Sequence, residues 1–265
     1  LSEDADAAAD ADADSDGCEV RSLAVTFRSG ARVGEHAHGW GQLVFGSSGI
    51  MRVTTDEAIW WTPPTRAIWL PAGVPHSIAI SGSVAMRTLY IARDRASSLP
   101  TAPSVLEVAP LLRELVLHIL ALGMLARDRP DHARITGLLI DLLLQARPQD
   151  LRLPLPRDAR ARRLADHVQK QPADARDLDD LAKLAGASLR TLQRIFPIET
   201  GLTIETWRQK ARLLHAMAGL SSGANVTEAA LDCGYQSVAA FIAAFTRQFG
   251  MTPGRYLAMR PRSAS

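Results

Sequence analysis

Only two cysteines stand among 265 residues, and aromatic residues make up 5% of the chain. Two thiols cannot build a disulfide framework. Cys18 and Cys233 lie near opposite ends with no reason to pair, a usage that fits a reducing, cytoplasmic compartment. No uninterrupted apolar run approaches the ~18 residues that a membrane span needs, so no membrane partner is expected. The first residues carry neither a basic stretch nor an apolar core, so they do not read as a signal peptide. No nucleophile sits beside a base, and no glycine-rich loop is built to cradle phosphate. Both absences argue against hydrolases and nucleotide-binding enzymes, and the chain is expected not to be an enzyme.

Net charge is also scarce, at +2, but that figure hides a polarity. Residues 1–19 hold eight acids and no base, which leaves +10 on the remainder. This Ala/Asp-rich stretch has too little apolar bulk to fold and is expected to be a solvated tail. From Arg157 to Arg262, sixteen Lys and Arg face ten Asp and Glu. Such a moderate basic excess suits contact with nucleic-acid phosphates.

What is present is clearest near the C-terminus, where two helix-turn-helix patterns follow one another. The second runs through Ala229-Ala230, then Gly234 at the turn, then Ser237 as an N-cap, with Phe241, Phe245 and Phe249 recurring every four residues. Ala229 and Ala230 are small enough to let the next helix cross closely, and Gly234 admits the positive φ of a tight turn. The first pattern repeats the logic with Leu181-Ala182, Ala185-Gly186, Ser188 as N-cap, and Leu192 with Phe196 as the inward face. A helix held this way offers its outer side to a major groove. Gly234-Tyr235-Gln236-Ser237, Phe241, Phe245, Arg247, Phe249-Gly250, Pro253 and Tyr256 resemble the signature of AraC/XylS-type bacterial transcription regulators. Thr191-Leu192-Gln193-Arg194-Ile195-Phe196 is similar to the same family's upstream unit. The resemblance covers about residues 160–258 and implies double-stranded operator DNA as partner, with RNA polymerase added if the protein is an activator.

On the first recognition helix Ser188, Arg190, Thr191, Gln193 and Arg194 are the candidate DNA contacts. Arg pairs with guanine and Gln with adenine. On the second, Gln236, Ser237, Val238, Ala239 and Arg247 are the candidates. Its remaining outward residues, Ala240, Ala243 and Ala244, touch thymine methyls at most. The first unit is therefore expected to read sequence and the second to position. A helix from about Glu205 to Gly219 spaces the two units.

The N-terminal half reads as short β segments: 23–27, 41–45, 50–54, 59–61, 67–70, 76–80 and 86–91. Their close spacing predicts a barrel or sandwich. His36 and His38 alternate with Ala37, which on a strand puts both imidazoles on one face. The spacing Gly30, His36, His38, Gln42, Gly49 resembles the first cupin motif, with Gln where Glu is usual. Pro71-Ala72-Gly73-Val74-Pro75-His76 resembles the second, although Ile80 replaces its later Asn. Together these imply a cupin barrel in which His36, His38, Gln42 and His76 hold a divalent metal such as Zn, Ni, Mn or Fe. The competing reading is that the histidines hydrogen-bond within a polar lumen. Trp40, Trp60, Trp69 and Arg66 are candidate walls of a ligand pocket at the barrel mouth. Pro63-Pro64-Thr65-Arg66-Ala67-Ile68-Trp69 with Arg87-Thr88-Leu89-Tyr90 also resembles a short-cupin subgroup of these regulators that includes NimR-like repressors of neighbouring efflux genes.

Between the halves, Leu-rich stretches over 105–125 and 132–145 predict two helices whose apolar faces exceed what one small barrel covers, which suggests a homodimer. The expected architecture is α+β with two domains: an acidic tail over 1–19, a cupin-like sensor over 20–95, a helical linker and dimerisation segment over 105–147, and an all-α tandem helix-turn-helix domain over 159–258. The expected function is a transcription regulator whose cupin domain senses a small molecule or metal and controls operator binding. A cupin metalloenzyme, an oxygenase or isomerase, fused to a DNA-binding domain is the rival reading. Gln42 argues against it, because an amide is a weaker ligand than a carboxylate and no general base.

Overall fold

A computed structural model describes residues 17–258 except Ser47 and Thr65. Most of the acidic tail lies outside the described residues. Its last two, Cys18 and Glu19, already belong to β1 and are buried, so the first domain begins before Val20. The chain divides into two compact units. The first comprises residues up to Thr55 with Trp60–Leu151, and the second comprises Asp56–Ile59 with everything from Arg152 onward.

The N-terminal strands are β1 (Cys18–Phe27), β2 (Arg32–His36), β3 (Gly41–Gly46), β4 (Ile50–Thr54), β5 (Ala58–Thr62), β6 (Arg66–Leu70), β7 (His76–Ser81), β8 (Val84–Ile91) and β9 (Ser104–Glu107). After these come α1 (Pro110–Leu122), β10 (Met124–Ala126), α2 (Pro130–Gln145) and β11 (Pro148–Gln149). One sheet has the order β10-β1-β8-β3-β6-β9-β11, and a second contains the run β5-β4-β7-β2. Strand alternation sorts the residues of the larger sheet. Gln42 stands opposite Leu70 and Tyr90, and these turn to the lumen. Leu43 stands opposite Trp69 and Leu89, and these turn outward.

The outward set makes the larger core. Leu43, Phe45, Trp69, Leu89 and Ile91 pack against Leu112, Leu115, Val116 and Ile119 of α1 and Leu139 and Leu143 of α2. The two Leu-rich stretches thus cover the back of the sheet first. Residues expected as helix at 105–107 and 124–125 are instead in β9 and β10. The sheet edges recruit them, and α1 is limited to the residues between Pro110, which suits a first helical turn, and Gly123, whose φ of 84° ends the helix.

The second unit starts with β12 (Arg152–Pro154) and continues with α3 (Ala159–Lys170), α4 (Leu178–Leu184), α5 (Leu189–Thr200), α6 (Ile204–Ser222), α7 (Val226–Asp232), α8 (Val238–Phe249) and α9 (Pro253–Ala258). Side-chain N-caps define these starts: Asp158, Asp177, Ser188, Thr203, Asn225 and Ser237 each accept backbone N–H bonds from the first turn. The spacer α6 has 19 residues, longer than the sequence pattern suggested, and spans about 28 Å. Its buried face carries Trp207, Leu213, Leu214 and Met217, and Trp207 donates from Nε1 to the Pro154 carbonyl at 2.6 Å. No helix among the described residues is long and apolar enough to cross a membrane.

Candidate functional site

The histidine cluster is assembled from three separate pieces of chain. His36 closes β2, His76 opens β7, and the two are register partners across a bulged antiparallel pair. His38 lies beyond the end of β2, so the expectation that His36 and His38 alternate along one strand is corrected. The strand ends at His36, and the turn 37–40 swings His38 toward Gln42 on β3. Ring centroids are 4.3 Å apart for His36 and His76, 5.4 Å for His38 and His76, and 5.9 Å for His36 and His38. One ring nitrogen from each imidazole lies within 4.8 Å of the other two.

Hydrogen bonds fix the tautomers. His36 Nδ1 lies 2.9 Å from Gly34 O, His38 Nδ1 2.8 Å from Trp40 O, and His76 Nδ1 2.9 Å from Val74 O. A carbonyl can only accept, so each Nδ1 carries the proton and donates it, which leaves Nε2 for coordination. This is the orienting arrangement that metal-binding imidazoles use. His38 Nε2 lies 3.2 Å from Gln42 Oε1. Two acceptors then face each other, a contact that a shared cation or a turned amide satisfies. His76 is buried and its Nε2 has no hydrogen-bond partner. Burial above all, with the neighbouring His36 and His38, pushes its pKa down to about 4, so its imidazole is neutral near pH 7. The donor set and the unpartnered buried nitrogen fit a divalent metal.

Of the other four candidates, Trp40 adjoins the cluster through its carbonyl, which holds His38 Nδ1. Trp69 belongs to the core between sheet and helices, with its Nε1 donating to Pro100 O at 2.8 Å, and does not line the lumen. Its indole covers Gly41, where an added Cβ would fall 2.2 Å from the ring. Trp40 is buried beside Cys18, Tyr90 and Ala92, with the Arg21 guanidinium 4.7 Å above its ring. Trp60 is buried in β5, and Arg66 stands opposite Glu107 on β9. Tyr90 was missed as a site residue. It packs edge-on against His38 at 5.2 Å, and only its register opposite Gln42 reveals it.

The candidate DNA surface is set by two helices whose inner faces are fixed. In α5 Leu192, Ile195 and Phe196 are buried, whereas Arg190, Gln193 and Arg194 are exposed and Thr191 is partly so. In α8 Phe241, Ala244 and Phe245 are buried, and Phe249 is only partly covered. Ala244 therefore cannot face a groove as the sequence reading had it, because it falls within the buried arc between Phe241 and Phe245. Gln236, Ser237, Ala239, Ala240, Ala243 and Arg247 are exposed, and Val238 is half-buried.

Comparison with known proteins places a known family over each of the two domains. Residues 181–259 match the model of a helix-turn-helix domain, and residues 25–165 match that of an AraC-like ligand-binding domain. The chain is 35% identical over 233 residues to the HTH-type transcriptional regulator NimR of Escherichia coli K12, covering 86% of this chain and 85% of that protein. This chain belongs to the AraC family of transcription regulators. Its N-terminal domain is a ligand-binding domain and its C-terminal domain binds DNA through helix-turn-helix units. RipA of Corynebacterium glutamicum is 33% identical over 103 residues, 39% of this chain and 31% of RipA. ToxT of Vibrio cholerae aligns structurally at 10% identity and a TM-score of 0.40 over 91% of this chain and 99% of ToxT.

Proposed function

We propose that this regulator senses its effector at the His36–His38–His76 cluster through a bound divalent metal, and that occupancy of the site changes operator affinity. The observation that carries the reading is the anchoring of all three Nδ1 atoms by backbone carbonyls around ligand atoms that lie within 4.8 Å. His36, His38, His76 and the Gln42 oxygen would hold the metal, which supplies a Lewis-acidic point for an effector atom. The barrel holds the imidazoles in place and buries His38 and His76. We infer a regulator and not an enzyme, in keeping with the named functions of the relatives.

The protein should take up Zn, Ni, Mn or Fe when refolded with each, with His76→Ala losing more than tenfold in metal affinity. Elemental analysis that finds none of the four would leave the histidines as hydrogen-bonding lumen residues only. By linkage, metal or effector should shift operator affinity by about 1–3 kcal/mol, and DNA should shift effector affinity by the same factor.

At the operator, Arg190, Gln193 and Arg194 read base edges from α5, with Ser188 and Thr191 at its N-terminus. Gln236, Ser237 and Arg247 hold the backbone at α8. The protein acts as a homodimer through α1 and α2, which supports paired half-sites. Leu111, Leu138 and Leu144 remain 57%, 42% and 50% exposed on those helices after the sheet is covered. Sedimentation should show a dimer at tens of micromolar that Leu138→Asp with Leu144→Asp dissociates without loss of secondary structure. A wild-type monomer would remove this part of the reading. RNA polymerase joins the partners if the regulator activates.

A further inference from the structure

The second compact unit takes in Asp56 and Glu57, the turn that joins β4 to β5. Residues from later in the chain hold this turn. Leu155 N donates to the Glu57 carbonyl at 2.8 Å, Arg157 Nη2 to Glu57 Oε1 at 2.7 Å, and Arg162 Nη1 to the Asp56 carbonyl at 3.4 Å. The Arg157–Glu57 ion pair is 78% and 74% exposed and contributes little by itself. The backbone bond from Leu155 is the firmer tie.

Just beyond Leu155 the same segment is gripped again. Glu199 Oε2 accepts from Arg157 N at 2.7 Å and from Asp158 N at 2.9 Å. Asp158 is the N-cap of α3, and Glu199 stands in the last turn of α5, the helix that carries Arg190, Gln193 and Arg194. That turn needs an outside hold. Pro197 has no N–H to give the Gln193 carbonyl, so the helix is one rung short where it leaves its reading residues. At the other end, Thr54 closes β4 just before the turn and stands opposite Ser77, the neighbour of His76. His76 is thus linked to α5 by a strand pair, a short turn and backbone hydrogen bonds on either side of Pro156.

We propose that Glu199 is a positioning residue for the recognition helix, and that the turn at Asp56 and Glu57, acting through Leu155 and the 157–158 backbone, carries the state of the sensor barrel to α5. The histidine cluster as driver rests on the metal reading above, whereas the route is a property of the fold. By linkage, DNA seated on α5 must act back on the turn.

Hydrogen exchange reads that reverse effect without any metal. The full-length protein is compared free and saturated with a duplex that it has itself selected from random DNA, by mass spectrometry of peptides over 54–58 and 155–158. Both should exchange at least about threefold more slowly with DNA bound. Glu199→Ala should still protect α5 from exchange when DNA is added and should lose the slowing in the two peptides. Glu199→Gln, which keeps an acceptor oxygen, should restore it, and Glu57→Ala, which keeps the carbonyl, should retain it. A wild-type 54–58 peptide that ignores bound DNA would overturn the proposal even if Glu199→Ala fails to fold, and so would slowing that persists in a folded Glu199→Ala. A zinc titration separates the driver from the route. Zinc that binds and shifts DNA affinity equally in the wild type and in Glu199→Ala would overturn the route. No zinc uptake would remove the metal reading and leave the exchange result to decide this one.

Discussion

The two helix-turn-helix units share a frame and differ in what they do with it. Both open their second helix with a serine N-cap, Ser188 accepting from Thr191 N and Ser237 from Ala240 N. Both bury the C-cap residue of the preceding helix, Ala185 in one and Cys233 in the other, followed by a glycine at φ 72° and 74°. The second turn is one residue longer, by Gln236, and Tyr235, which stands where the first has Ala187, packs edge-on against Phe241 at 5.4 Å. A ladder then runs from Phe241 through Phe245 to Phe249 and Tyr256. The first unit relies more on polar ties. Arg163 donates to the Ala185 carbonyl from Nε and Nη2 at 3.0 and 2.7 Å, and Arg212 reaches from α6 to the carbonyls of Pro172 and Asp174. Outside, the contrast is sharper, with Arg190, Gln193 and Arg194 on α5 against Ala239, Ala240 and Ala243 on α8. The inner face specifies that a helix docks. The outer face specifies what it can recognise.

The largest effect that would test this comparison is on folding. Phe241→Ala removes the ring at the head of the aromatic ladder and should cost about 3–5 kcal/mol, read by chemical denaturation. Phe196→Ala, which removes a fully buried ring packed against Trp207 at 5.5 Å, should cost a similar amount. If only one of the two unfolds the domain, the frames are not equivalent.

Next comes recognition. Arg190→Ala and Gln193→Ala should each remove about 1–3 kcal/mol of discrimination between operator variants. Arg247→Ala should weaken all sequences alike and flatten the salt dependence of binding. Selection from random DNA that places the strongest base preference under α8, unmoved by Arg190→Ala, would reverse the division of labour.

Smaller still are the caps. Ser188→Ala and Ser237→Ala should each destabilise by about 1 kcal/mol, because the two serines do the same work in the two units. A clear inequality in midpoint shift would show that the longer second turn holds α8 without its cap.

The last effect, silent at neutral pH, separates the two C-cap positions chemically. Burial pushes the Cys233 thiol up to about 12 from an ordinary value of 9, with Asp232 adding to the rise. The folded state therefore holds this proton more tightly than the unfolded state. The stabilisation is fully present below pH about 9 and is lost as pH rises toward about 12. Iodoacetamide at pH 8 should leave Cys233 unmodified in the native protein and alkylate it in denaturant, as mass spectrometry of the derived peptide would show. Rapid native labelling would mean that the second turn opens readily. Cys233→Ala, which copies Ala185, should abolish this alkaline loss without altering DNA binding.

The helix-turn-helix units were readable from the sequence because what defines them is local. An N-cap acts within three residues, a glycine turn within one, and an inward face repeats every three or four positions, so Ser188, Ser237, Gly234 and the buried Leu192, Phe196, Phe241 and Phe245 could be assigned before any fold was known. The spacing of His36, His38, Gln42 and His76 was also legible as a motif. What brings them together was not. His76 meets His36 through strand pairing across about forty residues of chain, and His38 leaves the strand on which periodicity had placed it. Register likewise turned Trp69 outward to α1 and α2 and turned its neighbour Leu70 toward the lumen with Gln42 and Tyr90. The same sheet drew β9 and β10 out of what sequence alone read as helix. Side-chain facing in a strand alternates with every residue, so a shift of one position in a non-local pairing reverses it. The sequence determined which chemistry the chain carries and where its helices begin, and only the tertiary pairing of strands decided which side chains share the lumen.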